Sequence, residues 1–138
     1  MKEGWHRGTY LILFDDDEIG PATRRYGLDQ SLTDFRLIGL ESWDNFLVRN
    51  ARGLTFSVPT LPHSEGLLQS VATPQPDVAL EPDSRFAGKV KWYVKPLAFG
   101  GDVRDLSNVQ CVDHDQRGQL GRWWNDKHRQ LQSQLLDA

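Results

Sequence analysis

The alternation of apolar and polar residues predicts a β-meander in the first half of the chain. Residues 54–58 alternate with the two-residue period of a strand that buries one face. Residues 35–40 and 43–48 are also strand-like, and Gly53 can adopt the positive φ that a turn between strands requires. Pro59 ends the meander because proline cannot donate a hydrogen bond to a β-ladder.

Outside this meander, the pattern predicts further strands and one long loop. Residues 89–94 and 108–112 are strand-like, whereas the short apolar run at 10–14 fits either a buried strand or the first turn of a helix. Residues 63–84 show little periodicity and are rich in proline. They are predicted to form a surface loop, with a short helix as an option over residues 65–71.

A helix is predicted directly after the first apolar run. Asp15 or Asp16 can cap a helix that continues to about Tyr26, and Gly27 suits the position beyond its end. Pro21 opposes this prediction, because proline is tolerated only in the first turn of a helix.

The C-terminal segment predicts an amphipathic helix capped by Asp113, with Gln116 in the position of a capping-box partner. The apolar face consists of Leu120, Trp124, Leu131 and Leu135, with Trp123 beside it. Gly118 and Gly121 each cost about 1 kcal/mol relative to alanine, so the helix needs docking or begins near Leu120. Strands followed by a closing helix, without a regular βαβ alternation, predict an α+β fold.

Composition predicts one globular domain spanning residues 1–138. Hydrophobic residues make up 38% of the chain and charged residues 25%, as in ordinary globular proteins. A net charge of −3 gives no reason to expect nucleic acid as a partner. No stretch approaches the roughly 20 apolar residues of a membrane helix, and the first apolar run is too short for a signal peptide. We therefore expect a cytoplasmic protein without a membrane partner.

The sequence contains no recognisable catalytic motif, metal site or cofactor site. The single cysteine, Cys111, permits neither an internal disulfide nor a Cys-based zinc site, and it is predicted to be a buried structural thiol. The histidines lack the paired spacing of metal ligands, and the glycine pair at 100–101 lacks the surrounding pattern of a phosphate-binding loop. The enzyme hypothesis that stays open is a spatial cluster of Cys111 and His114 with Asp113 or Asp115.

Two features suggest a surface that binds another protein. The acidic run at 15–18 is either a docking patch for a basic partner or a solvated helix start, and it lacks the alternating spacing of a calcium loop. Trp123 and Trp124 lie about 100° apart on a helix, so one is predicted to pack in the core and the other to lie at the surface. The candidate partner-binding residues are Asp15, Asp16, Asp17, Glu18, Trp43 and Trp123.

Two blocks of the sequence resemble the SUKH (Smi/Knr-like) superfamily of bacterial proteins. The first block comprises residues 39–48, Gly53 and 58–62, and the second comprises 96–102, Asn108 and 120–125. The resemblance implies an α+β fold with a central, mostly antiparallel β-sheet and flanking helices. It also implies an immunity protein that binds a cognate toxin, such as a nuclease or another toxic enzyme, in the cytoplasm of the producer. The alternative hypothesis is a small regulatory or scaffold domain with a non-toxin partner.

Overall fold

The α+β fold predicted from the sequence is confirmed by the structure, a computed structural model that describes residues 1–75, 77–96, 99–102 and 104–137. A six-stranded antiparallel sheet has the order β1-β2-β3-β4-β5-β6, so each strand pairs with its neighbour in the chain. These strands are β1 (Lys2–His6), β2 (Thr9–Leu13), β3 (Phe35–Glu41), β4 (Asn45–Asn50), β5 (Thr55–Pro59) and β6 (Gln69–Val71). A second, two-stranded antiparallel sheet consists of β7 (Val90–Tyr93) and β8 (Val109–Val112).

The α-helices of the described chain lie between these strands and at its end. They are α1 (Asp16–Arg25), α2 (Leu28–Ser31) and α3 (His114–Asp137). Asp15 is the N-cap of α1, and Gly27 follows its end with φ 74°, as predicted. Pro21 lies inside α1, beyond the first turn, at an exposed position, and it has no N–H to donate to the carbonyl group of Asp17 four residues earlier. No helix of the described chain is long and apolar enough to cross a membrane.

Two local predictions need adjustment. The apolar run at 10–14 forms the strand β2 rather than a helical turn, because it pairs with β1 and β3 on either side. The optional helix at 65–71 is wrong beyond its first turn: a single 3-10 turn at Glu65–Leu67 is followed by β6, which adds to the edge of the sheet beside β5. Sheet pairing at this edge outweighs the weak local helical pattern.

The main core lies between the six-stranded sheet and the helices α1 and α2. Tyr10 and Ile12 of β2 point into this core, whereas Leu11 between them joins a smaller apolar cluster, as the two-residue period of a strand requires. Tyr26, at the end of α1, packs its ring edge-on against Phe46 of β4 with ring centroids 5.3 Å apart.

The helix α3 docks through small and polar residues rather than through its leucines. Its buried positions are Arg117, Gly118, Gly121 and Asn125. A Cβ atom added at Gly118 would lie 2.6 Å from the carbonyl oxygen of Arg25, so only glycine permits this close approach of α3 to α1. The predicted apolar face is therefore packed only in its first half, because Leu131 and Leu135 are 40% and 77% exposed.

Candidate functional site

The acidic run lies at the start of α1, where its negative charges favour the positive end of the helix dipole. Asp15, Asp16 and Asp17 are exposed and Glu18 is half-buried. The amino group of Met1 contacts carboxylate oxygens of Asp15 at 2.7 Å and of Glu18 at 2.6 Å. The hydrogen bond from this amino group lowers the pKa of Asp15. Two of the four carboxylates are therefore paired, and Asp16 and Asp17 form no ion pair within the described residues.

Three of these carboxylates also lie close enough to share an ion. Oxygens of Asp15, Asp17 and Glu18 all lie within 4.8 Å of one another. The amino group of Met1 already contacts Asp15 and Glu18. Both residues also belong to the cap of α1, in which the backbone N–H of Asp15 donates to Glu18 Oε1 at 2.9 Å. The geometry is explained by capping without a metal ion.

Of the two candidate tryptophans, one is buried and one is exposed. Trp43 is only 6% exposed, and its ring stacks on Tyr10 with centroids 4.7 Å apart. The prediction that Trp43 offers a surface anchor is therefore corrected, because aromatic packing takes up almost its whole surface. Trp123 is 59% exposed, whereas Trp124 is half-buried and packs against Phe99. Trp123 lies at the surface as predicted, whereas Trp124 packs at the boundary and is not among the buried residues of the core.

The distal half of α3 carries an apolar stripe that extends beyond the packed part of the molecule. The stripe consists of Trp124, His128, Leu131 and Leu135, spaced so that all four lie on one side of the helix. The ring of Phe99 lies 4.7 Å from that of Trp124 and 6.2 Å from that of His128. Leu131 and Leu135, further along the same side, remain exposed to solvent.

A groove of about 940 Å³ lies beside this stripe, between α2, the loop at 62–67 and α3. Asn125 fixes the geometry of its floor. The Asn125 side chain accepts a hydrogen bond from the backbone N–H of His63 at 3.1 Å and donates to the carbonyl oxygens of Thr60 and Gly121 at 2.9 and 2.8 Å. This network was not predicted from the sequence, because its members lie far apart in the chain.

The groove also contains a hydrogen-bonded serine–histidine pair. Ser31 Oγ lies 2.7 Å from His63 Nε2, and it also donates toward the Gly27 carbonyl oxygen at 3.1 Å. Burial lowers the pKa of His63 to about 4. Nδ1 of His63 has no hydrogen-bond partner among the described residues. The pair thus lacks the third group that orients the base in serine-based catalysis.

The cluster considered for an enzyme is not assembled as such a site. Cys111 is exposed, which corrects the prediction of a buried thiol: β8 belongs to a two-stranded sheet, and this part of it faces solvent. Asp113 accepts a hydrogen bond from the backbone N–H of Gln116 at 2.7 Å, and Asp115 pairs with Arg25 at 2.9 Å. Burial lowers the pKa of His114, whose ring nitrogens have no hydrogen-bond partner among the described residues. Both aspartates are therefore engaged in supporting α3 rather than in orienting His114.

Comparisons of the chain with protein-family models, with curated proteins and with solved structures found no match in any of the three. The family assignment therefore stays a prediction that rests on the resemblance of the two sequence blocks.

Proposed function

We propose that this protein is an immunity protein that binds and neutralises a cognate bacterial toxin in the cytoplasm of the producer, without catalysis of its own. The observation that carries the proposal is the uncovered end of α3. Leu131 and Leu135 are 40% and 77% exposed on the same side of the helix as the packed residue Trp124. A helix in a protein is stabilised mainly by packing its apolar face, and an uncovered apolar face is typical of an interaction surface.

The surroundings of this surface also suit a protein partner. Trp123 is 59% exposed near the stripe, and tryptophan is the residue type most often found as a binding anchor. The adjoining groove of about 940 Å³ can receive a loop or side chains of the partner. A stable complex buries about 1,600 Å² in total, which is enough to cover the active site of a toxin. The exposed Asp16 and Asp17 supply a second, acidic surface that would attract a basic toxin.

The proposal is tested by co-expression with the products of neighbouring genes, with co-purification and growth rescue as the measurements. The double variant Leu131→Gln/Leu135→Gln should fold normally, because both side chains are exposed. It should bind the captured toxin at least about ten-fold more weakly and protect poorly, since both changes remove apolar contacts at the interface. The matched control is Leu54→Gln/Leu106→Gln, which alters two leucines that are 53% and 86% exposed elsewhere on the surface.

Two outcomes would contradict parts of the proposal. Full protection by the Leu131/Leu135 double variant would show that α3 does not form the interface. Capture of a partner with no toxic activity would support the regulatory or scaffold alternative instead. Lysine substitutions at Asp16 and Asp17 test the acidic surface separately, and unchanged association with the toxin at low salt would exclude its contribution.

A further inference from the structure

A second cavity lies near the start of β3 and the end of β4. Its volume is about 690 Å³, within the range of about 300–1,000 Å³ that is usual for small-molecule sites. Arg36 of β3, Arg49 of β4 and the turn at 51–53 contribute to its lining. Because the cavity shares no lining residue with the groove beside α3, its function can be judged independently of toxin binding.

Arginine side chains give this cavity a positive charge. Arg36 and Arg49 are direct partners in the antiparallel pairing of β3 with β4, so their side chains leave the same face of the sheet. Such partners have Cβ atoms about 5 Å apart, and like charges at this position destabilise a sheet. Arg52, in the turn after β4, lines the same cavity. An anion held between these guanidinium groups would therefore relieve a repulsion that is built into the sheet.

Arg24 of α1 extends this basic group. A Cβ atom added at Gly20 would lie 3.5 Å from Nη1 of Arg24 and 3.6 Å from Nη2 of Arg36, so both guanidinium groups lie beside the same point of α1. Within residues 1–75, 77–96, 99–102 and 104–137, no ion pair involves any of the four arginines. Arg24, Arg36 and Arg52 are exposed and Arg49 is half-buried, so a ligand can reach them from solvent.

The carboxylates near this cavity do not balance its positive charge. Asp34 is the one carboxylate among the described residues that line it, and it is exposed. Asp15 and Asp16 line an adjoining cavity that also includes Arg49. Asp15 is already paired with the amino group of Met1, and no described carboxylate forms an ion pair with Arg49. The cavity therefore favours a ligand with more than one negative charge.

The backbone holds these arginines in fixed positions. Arg36 and Arg49 lie on paired strands. In the turn, Asn50 Oδ1 accepts hydrogen bonds from the backbone N–H groups of Arg52 and Leu54, each at 3.0 Å. The donors of a guanidinium group form a planar fork that matches two phosphate oxygens at once. The fold thus presents several such groups around one cavity, so an anion can bind with little ordering of the backbone.

We propose that this cavity binds a compact polyphosphate group, such as the chain of pyrophosphate or tripolyphosphate, through Arg36, Arg49 and Arg52. The described lining contains no aromatic ring on which a nucleobase could stack, and no large apolar side chain that could anchor a protein segment. The phosphate chain itself is therefore the group that is recognised, whether it is free or carried by a nucleotide.

The test is isothermal titration calorimetry with sodium tripolyphosphate at constant ionic strength. Binding should be saturable with one ligand per chain, and sodium sulfate should bind at least about ten-fold more weakly because it carries fewer charges. ATP without metal ions is the second arm. An affinity for ATP equal to or below that for tripolyphosphate supports a free chain as the ligand, and a higher affinity supports a nucleotide. No saturable binding of tripolyphosphate, or tighter binding of a hexaglutamate peptide, would overturn the proposal.

Charge variants at exposed positions test the location of the site. Arg36→Gln and Arg52→Gln should each weaken tripolyphosphate binding about ten-fold, since each removes a charged donor. Asp34→Asn removes the opposing charge and should strengthen binding about three-fold. The matched control is Arg104→Gln, which does not line the cavity and should bind as the parent protein does. All four side chains are exposed, so the variants should keep the fold. Parent-like affinity in both Arg36→Gln and Arg52→Gln would show that the polyphosphate is not bound in this cavity.

Discussion

At the scale of single residues, the buried polar side chains around the groove determine how the protein responds to pH. His63 is 6% exposed and hydrogen-bonded through Nε2 to Ser31. Burial lowers its pKa from 6.5 to about 4, so the folded protein keeps the imidazole neutral where an unfolded chain would protonate it. Below pH 6.5 the unfolded state therefore binds more protons, and the free energy of unfolding falls as the pH falls toward 4.

We expect the free energy of unfolding to be about 2 kcal/mol lower at pH 5 than at pH 7.5 because of His63. Urea denaturation at the two pH values measures this difference. The variant His63→Gln cannot titrate and should lose most of the pH dependence. A smaller slope should remain, because burial also lowers the pKa of His114. His6→Gln, on the half-exposed strand β1, is the control and should retain the parent slope. If the free energy of unfolding of His63→Gln depended on pH as strongly as that of the parent protein, His63 would not be the cause of the pH dependence.

The same residues show how far the sequence could predict the site. Local features were predictable, since the cap at Asp15 and the left-handed Gly27 depend only on neighbouring residues. The pairing of Ser31 with His63 spans 32 positions, and that of His63 with Asn125 spans 62. Nothing in the spacing of these residues indicates that the fold brings them together. The exposure of Trp123 and the burial of Trp43 likewise depend on the packing of whole elements.

At the scale of elements, α3 illustrates a conflict between local preference and packing. Gly118 and Gly121 weaken an isolated helix, but both are buried where α3 meets the rest of the molecule. A Cβ at Gly118 would lie 2.6 Å from the carbonyl oxygen of Arg25 at the end of α1. From the sequence, the glycines were predicted only to weaken the helix, and the apolar face of leucines and tryptophan was predicted to dock. The close contact that requires glycine is a tertiary feature, and the period of apolar residues does not reveal it.

We expect Gly118→Ala to destabilise the protein by about 2 kcal/mol, although alanine is the better helix former. The new methyl group would meet the carbonyl oxygen and the Cγ atom of Arg25, each at 2.6 Å. The backbone oxygen cannot move away without displacing the end of α1. The midpoint of guanidinium chloride denaturation measures the effect.

The matched control is Gly66→Ala, since an added Cβ there would have only Ser64 Oγ nearby, at 3.9 Å. This variant should change the free energy of unfolding by less than about 0.5 kcal/mol, as is usual for exposed surface positions. A Gly118→Ala protein as stable as the parent would show that α3 can shift at no cost and that its close approach to α1 is not required.

At the scale of the whole molecule, residues 81–88 cover one edge of the large sheet. The backbone N–H of Trp5 donates to the carbonyl oxygen of Glu81 at 2.9 Å, and the reverse hydrogen bond measures 3.0 Å. The indole Nε1 of Trp5 also donates to Asp83 at 3.0 Å. Covering an edge strand in this way protects it from pairing with other chains. The sequence predicted only a surface loop here, because a bridge to the first strand leaves no mark in local periodicity.

The side chain of Phe86 packs residues 81–88 against the aromatic side chains of the core. Its ring centroid lies 4.9 Å from that of Trp43, 5.7 Å from Tyr10 and 6.2 Å from Trp5. We expect Phe86→Ala to lower the free energy of unfolding by about 2 kcal/mol, less than for a fully buried phenylalanine, because this side chain is half-buried.

The loss of stability in Phe86→Ala should be concentrated at the edge strand β1 and residues 81–88. Amide hydrogen exchange measures which parts of the chain lose protection. The amides of Trp5 and Glu81 should exchange faster in Phe86→Ala, because their mutual hydrogen bonds depend on the segment staying in place. The amide of Leu37, whose side chain is fully buried in the main core, should be accelerated only as much as the global loss of stability requires. Leu106→Ala, at a side chain that is 86% exposed, is the control and should leave both amides unchanged. Equal acceleration at Trp5 and Leu37 would mean that the segment does not open separately and that the edge is held by the sheet as a whole.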